Sequence, residues 1–154
     1  VFVLVGDGKE KSNLVSLARQ QGLTNVLFVP PVAKDEMKGV LAAADACLAI
    51  LKPVELYKTT YPNKVFDYMA AGRPVLCAID GVIRTVIEQA NAGLFIQPGN
   101  PEALAQGIID LHQQPGEARK MGSNGRDYVV QHFDRRKIAA QMEDILTRAA
   151  RNRH

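Results

Sequence analysis

Short apolar runs return along this chain at intervals of about 20–25 residues, and each is followed by a stretch with helical spacing. Runs at residues 1–5, 25–29, 46–51, 75–79 and 94–96 read as strands. Strands that are apolar throughout, rather than at alternate positions, belong to parallel sheets covered on both faces. The intervening stretches predict helices over residues 11–21, near Asp35, over 62–71 and over 82–90. Three more follow, one from Pro101 with Asn100 as its cap, one over 117–131 and one from near Asp134. The alternation predicts an α/β fold, a parallel sheet with helices on both faces and right-handed connections. Ligands of such sheets bind beyond the carboxyl ends of the strands. The turns after the strands, at residues 6–8, 30–33, 51–61 and 80–82, are therefore expected to share one edge.

The longest and most polar of these turns leads into residues 57–76, Tyr-Lys-Thr-Thr-Tyr-Pro-Asn-Lys-Val-Phe-Asp-Tyr-Met-Ala-Ala-Gly-Arg-Pro-Val-Leu. Pro62 suits the first position of a helix, where its missing N–H costs nothing. Thr60 or Tyr61 is the candidate cap, threonine being the better of the two, and Gly72 is the stop. The first N–H groups of a helix lack internal partners and carry partial positive charge, so this terminus suits an anion. Asn63 and Lys64 fall in that first turn, and Lys64 adds a full charge that the helix itself does not favour. Taken locally, the same pattern also fits an ordinary loop–helix–strand unit with a solvated lysine. Asp67 reads either as a carboxylate for the vicinal hydroxyls of a sugar or ribose, or as a surface residue favoured near a helix N-terminus.

Other chemistries find little support. The chain has 154 residues, 47% of them hydrophobic and 23% charged, which is ordinary for a globular domain with a real core. No apolar run approaches the roughly 20 residues of a membrane helix. The opening Val-Phe-Val-Leu-Val-Gly-Asp-Gly lacks the basic head of a signal peptide, and it reads as the inside of a strand, so a fragment of a longer protein is expected. The formal charge of +3, with basic groups at Arg135-Arg136-Lys137 and at Arg148, Arg151 and Arg153, does not specify nucleic acid. There is no tryptophan and no aromatic stacking platform. Such a basic face suits anionic lipid or a phosphorylated substrate, and equally a solvated helix end. Cys47 and Cys77 lie in strand-like runs and read as buried thiols of a cytoplasmic protein. His112, His132 and His154 are too scattered for a metal site. Gly6-Asp7-Gly8 resembles the start of a dinucleotide fingerprint, but Lys11 stands where the third glycine belongs. No residue stands out as a general base.

The motif Pro62-x-Lys64-Val-Phe-Asp67-Tyr-Met-Ala70-x-Gly72-x-Pro74-Val75 resembles the signature of retaining glycosyltransferases of family 4, which have the GT-B fold. Val-Leu-Val-Gly-Asp-Gly (residues 3–8), Asn-Val-Leu-Phe-Val (25–29) and Ala-Ala-Ala-Asp-Ala (42–46) are similar to that family's donor domain. So are Asn-Ala-Gly-Leu-Phe-Ile (91–96) and Gly-Asn-Pro-Glu-Ala-Leu (99–104), in the same order. The resemblance implies a Rossmann-like doubly wound sheet with C-terminal helices, one half of a GT-B fold. It implies one nucleotide-sugar-binding domain over residues 1–154, taken from a two-domain enzyme whose N-terminal acceptor domain is absent.

By the same resemblance the donor diphosphate meets the backbone at Asn63 and Lys64, with Thr60 and Tyr61 just before. The ribose falls to Asp67, which stands for a glutamate one methylene longer. The donor sugar falls to position 59, where Thr59 replaces the family's other glutamate and Glu55 is a nearby substitute. The nucleobase falls to Pro31 and Val32. A basic pair that grips the diphosphate is expected upstream of Val1, and the long C-terminal helices are expected to pack toward the N-terminal domain. No metal or other cofactor is called for. The implied reaction moves a sugar, with retention, from a nucleotide-diphosphate sugar to a polysaccharide, lipopolysaccharide or lipid-linked acceptor of the cell envelope. The implied setting is the cytoplasm at the inner face of the membrane, with peripheral membrane contact as a further expectation, and this piece alone is expected to be inactive. Two other readings stand beside it: a non-catalytic nucleotide- or partner-binding module of the same fold, and a nucleotide-sugar epimerase, which would need ionisable groups near the donor sugar.

Overall fold

The structure is a computed structural model that describes residues 1–151; Arg153 and His154 lie outside the described residues. It divides into two compact units, Val1–Val40 and the remainder from Leu41 onward. The first unit pairs β1 (Phe2–Val5) with β2 (Val26–Val29) in parallel, Phe2 opposite Val26 and Val5 opposite Val29. Helix α1 (Lys11–Gln20) connects them and stops before Gly22, as expected. The apolar run of β1 does not mark burial on both faces. Within its own unit β1 bonds to β2, and Val3 is 54% exposed because no residue of α1 is buried against it. The boundary between units falls within α2 (Met37–Ala43), which starts two residues after Asp35.

The second unit holds β3 (Cys47–Ile50), a 3₁₀ turn (Glu55–Thr59), α3 (Asn63–Ala70), β4 (Val75–Ala78), α4 (Val82–Ala90) and β5 (Gly93–Phe95). The chain continues through α5 (Pro101–Gln113), α6 (Pro115–His132) and α7 (Arg135–Arg151). The sheet order is β3-β4-β5, all parallel, with Cys47 opposite Val75 and Leu76 opposite Leu94. The five strands are thus parallel but shared between two sheets.

Strand β4 is the centre of the second unit. Successive side chains point to opposite faces. Val75 and Cys77 join a cluster with Val65 and Met69 of α3 and Ile83 and Ile87 of α4. Leu76 and Ala78 join another with Ile96 and with Leu111 of α5. Helix α6 approaches through glycine: a methyl at Gly122 would collide with the Gly72 carbonyl that ends α3. Phe133, just after α6, packs its ring at a tilt of 50° with its centroid 4.7 Å from that of Phe66 of α3. Helix α3 is therefore held from below by the sheet and from the side by α6. Asn100 caps α5 as predicted, its side chain accepting from the Ala103 N–H at 2.9 Å. Pro115 and Gly116 are the first turn of α6 rather than a break before it, because proline suits the first helical position.

Candidate donor-binding site

Helix α3 follows from its sequence. Val65 and Met69, four apart, are fully buried, whereas Asn63 and Asp67, also four apart, share the exposed face. Two expectations about its start need correction. Pro62 occupies the N-cap position in extended conformation, and Asn63 is the first helical residue. Neither Thr60 nor Tyr61 caps the helix: the Thr60 hydroxyl donates instead to the Leu56 carbonyl at 3.1 Å. The competing partner won because the 3₁₀ turn brings that carbonyl within reach. The outcome is a helix whose N-terminus has no side-chain cap. Its leading N–H groups are left for a ligand or water.

Lys64 leans across to β3, its Nζ donating to the Ile50 carbonyl at 3.3 Å. It is half-buried, and burial lowers its pKa below the ordinary lysine value, opposed in part by Cys77. The cation is thus anchored at the carboxyl end of β3, beside the uncapped terminus. Tyr61 is 52% exposed, its ring 6.2 Å from Phe66. The Thr59 hydroxyl also donates to the Leu56 carbonyl, at 3.1 Å. Thr59, Thr60, Tyr61, Asn63, Lys64 and Asp67 follow one another in the chain from the 3₁₀ turn into α3, and Lys64 ties the start of α3 to the carboxyl end of β3. Pro31 and Val32 belong to the first unit, in the turn after β2; Pro31 is exposed and Val32 half-buried.

Beside this edge lies a cleft of about 210 Å³ over the carboxyl ends of β3, β4 and β5. Its walls include Lys52, Glu55, Lys58, Asp80 and Gln97, and they do not reach Asn63 or Lys64. Glu55 is paired with Lys58 at 2.8 Å, and that bond raises the Lys58 pKa. The 3₁₀ turn and this pair escape sequence reasoning. The three-residue spacing of Glu55 and Lys58 is the signal that was there to find. Among the described residues, no group of three or more His, Cys, Asp or Glu side chains is placed to hold a metal ion. No helix there is long and apolar enough to cross a membrane.

Known proteins resemble this chain in sequence and in fold. N-acetyl-alpha-D-glucosaminyl L-malate synthase of Bacillus anthracis is 28% identical over 145 residues, 94% of this chain and 36% of that protein. The D-inositol 3-phosphate glycosyltransferase of Streptomyces bingchenggensis is matched over 31% of its length, so the chain spans about a third of these curated relatives. Among solved structures, sucrose-phosphate synthase of Thermosynechococcus elongatus superposes with a TM-score of 0.81 at 25% identity, over 97% of this chain and 38% of that one. The Anabaena protein HepE, solved with UDP-glucose, superposes with a TM-score of 0.81 at 24% identity, over 94% of this chain and 40% of that one. The fold is that of GT-B glycosyltransferases. The family described as glycosyl transferases group 1 matches residues 1–114, and this chain belongs to it.

Proposed function

We propose that the chain is the donor-binding half of a retaining, family 4 glycosyltransferase, which moves a sugar from a nucleotide-diphosphate sugar to a cell-envelope polysaccharide, lipopolysaccharide or lipid-linked acceptor. One observation carries the reading: an uncapped helix N-terminus with an anchored lysine beside it, at the carboxyl edge of a parallel sheet. In this reading the N–H groups of Asn63 and Lys64 meet the diphosphate, with Thr60 and Tyr61 adjoining. Asp67, exposed one turn into α3, accepts from the ribose hydroxyls. Thr59, with Glu55 as its substitute, is assigned the donor sugar, and Pro31 and Val32 are assigned the base. As the sugar leaves, charge grows on the diphosphate, and preorganised N–H dipoles and a lysine stabilise that charge without reorganising. This electrostatics needs no metal ion. An acceptor domain closing over the donor would exclude water. The cytoplasmic face of the membrane suits such acceptors.

A second reading, a non-catalytic binding module, draws on Thr59: its hydroxyl proton is committed to Leu56, so it is a poorer sugar contact than a carboxylate. Calorimetric titration of the chain with UDP, GDP and UDP-sugars, together with a sugar-transfer assay on the protein that carries both halves, separates the two. UDP is the first probe because the similarly folded Anabaena protein was solved with UDP-glucose. The transferase reading expects one nucleotide to bind, and Asp67→Ala to weaken both binding and transfer. Nucleotide binding by the chain, with no transfer to any acceptor by the protein that carries both halves, supports the module. Full binding and transfer by Asp67→Ala refutes the role given to Asp67.

A further inference from the structure

Gly81 stands between β4 and α4 with φ +95° and ψ −144°, a conformation that L side chains rarely adopt. Its N–H is held by the Asp80 carboxylate at 2.9 Å, and its carbonyl accepts from the Thr85 N–H at 3.3 Å. A methyl on Gly81 would fall on the Lys58 carbonyl oxygen and lie 2.5 Å from the Lys58 Cα. The 3₁₀ turn therefore rests backbone against backbone on the start of α4, and only glycine leaves room for it.

Lys58 is followed by Thr59, Thr60, Tyr61 and Pro62, and then by the first residue of α3. This link has little slack. Thr59 and Thr60 both donate their hydroxyls to Leu56, the Thr60 N–H donates to the Tyr57 carbonyl at 3.2 Å, and Pro62 has a fixed φ. The Glu55–Lys58 ion pair is too exposed to be the anchor, since such pairs contribute little. The backbone contact at Gly81 remains.

We propose that Gly81 is a positioning residue for the diphosphate site: by admitting the Lys58 backbone it sets where Thr59, Thr60 and the open end of α3 lie. The link to donor binding rests on the function proposed above, whereas the hold on the turn does not. The test uses protein labelled with 3-fluorotyrosine. Its four tyrosines include Tyr57 and Tyr61 on either side of Lys58, with Tyr68 and Tyr128 elsewhere in the second unit. Gly81→Ala is expected to shift the fluorine resonances of Tyr57 and Tyr61 more than the other two, and to raise the UDP Kd about tenfold or more. The control is Gly107→Ala, whose methyl meets the flexible Ile96 side chain; it is expected to lower the melting temperature without either effect. Unmoved Tyr57 and Tyr61 resonances, an unchanged Kd, or equal weakening by Gly107→Ala at equal loss of stability overturns the proposal. If the unsubstituted protein binds neither UDP nor GDP, the donor reading fails, and the resonances still decide whether Gly81 holds the turn. If Gly81→Ala does not fold, Asp80→Ala, which releases the Gly81 N–H, must move the same two resonances or the proposal falls.

Discussion

Lys64→Met separates function from stability at the candidate site. Methionine keeps an apolar chain of similar length at this half-buried position and removes the charge. The Nζ bond to the Ile50 carbonyl is long at 3.3 Å, and burial lowers the lysine's pKa, so the folded protein disfavours this charge. The sign follows from linkage. A lysine with a folded pKa below its unfolded one costs stability while protonated, and that cost is relieved as pH rises from the folded pKa toward the unfolded one. Lys64→Met should therefore leave the melting temperature at neutral pH unchanged or raised, and should flatten its rise at alkaline pH. Donor binding should move the other way. A hydrogen bond to a charged group contributes about 1.5–3 kcal/mol, which is about 10- to 150-fold in the UDP Kd. A bound diphosphate also restores the lysine's proton, so affinity should fall as pH rises through the lowered pKa. Titration in buffers of different ionisation heat should show proton uptake on the alkaline side. Calorimetry and thermal unfolding on both proteins suffice. UDP binding by Lys64→Met equal to the parent, or a melting temperature several degrees lower, would refute the reasoning and make Lys64 a structural tie.

Three further outcomes follow from the packing. Met69→Ala, at a fully buried position under α3, should cost about 2–5 kcal/mol in denaturant unfolding, whereas the exposed Asp67→Ala should stay within about 0.5 kcal/mol. Gly122→Ala should destabilise because its methyl meets the Gly72 carbonyl. Gly116→Ala, in open space in the same helix, should be neutral or stabilise by up to about 1 kcal/mol in thermal melts. Burial pushes the Cys47 thiol up to about 11, so at pH 8 only about one molecule in a thousand carries the thiolate, and iodoacetamide should label Cys47 only after unfolding.

Local rules made much of this fold legible. The helix Val82–Ala90 was readable to its ends, because Val82, Ile83, Val86 and Ile87 keep helical spacing between a glycine and an asparagine. The Asn100 cap was readable because Asn-Pro before an apolar helix satisfies capping chemistry by itself. Helix α3 was legible as an element that stops at Gly72, but its start was not, since Pro62 takes the cap position instead of the first helical one. What depended on distant partners was not readable. The burial of β1 depends on its neighbours, which its own apolar run does not reveal. The fate of the Thr60 hydroxyl depended on a 3₁₀ turn that has no periodicity to read and rests on Gly81. Lys64 could be placed in the first turn of the helix, but not bonded to Ile50, fourteen residues earlier on another element.

The proposed function turns on whether the open N-terminus of α3 receives a nucleotide diphosphate. Amide resonances of ¹⁵N-labelled protein, followed while UDP is added, test it at the atoms concerned. The N–H groups of Asn63 and Lys64 are expected to shift most and to saturate together with the calorimetric Kd. Saturating UDP that leaves both unmoved, or moves a different region first, would contradict it.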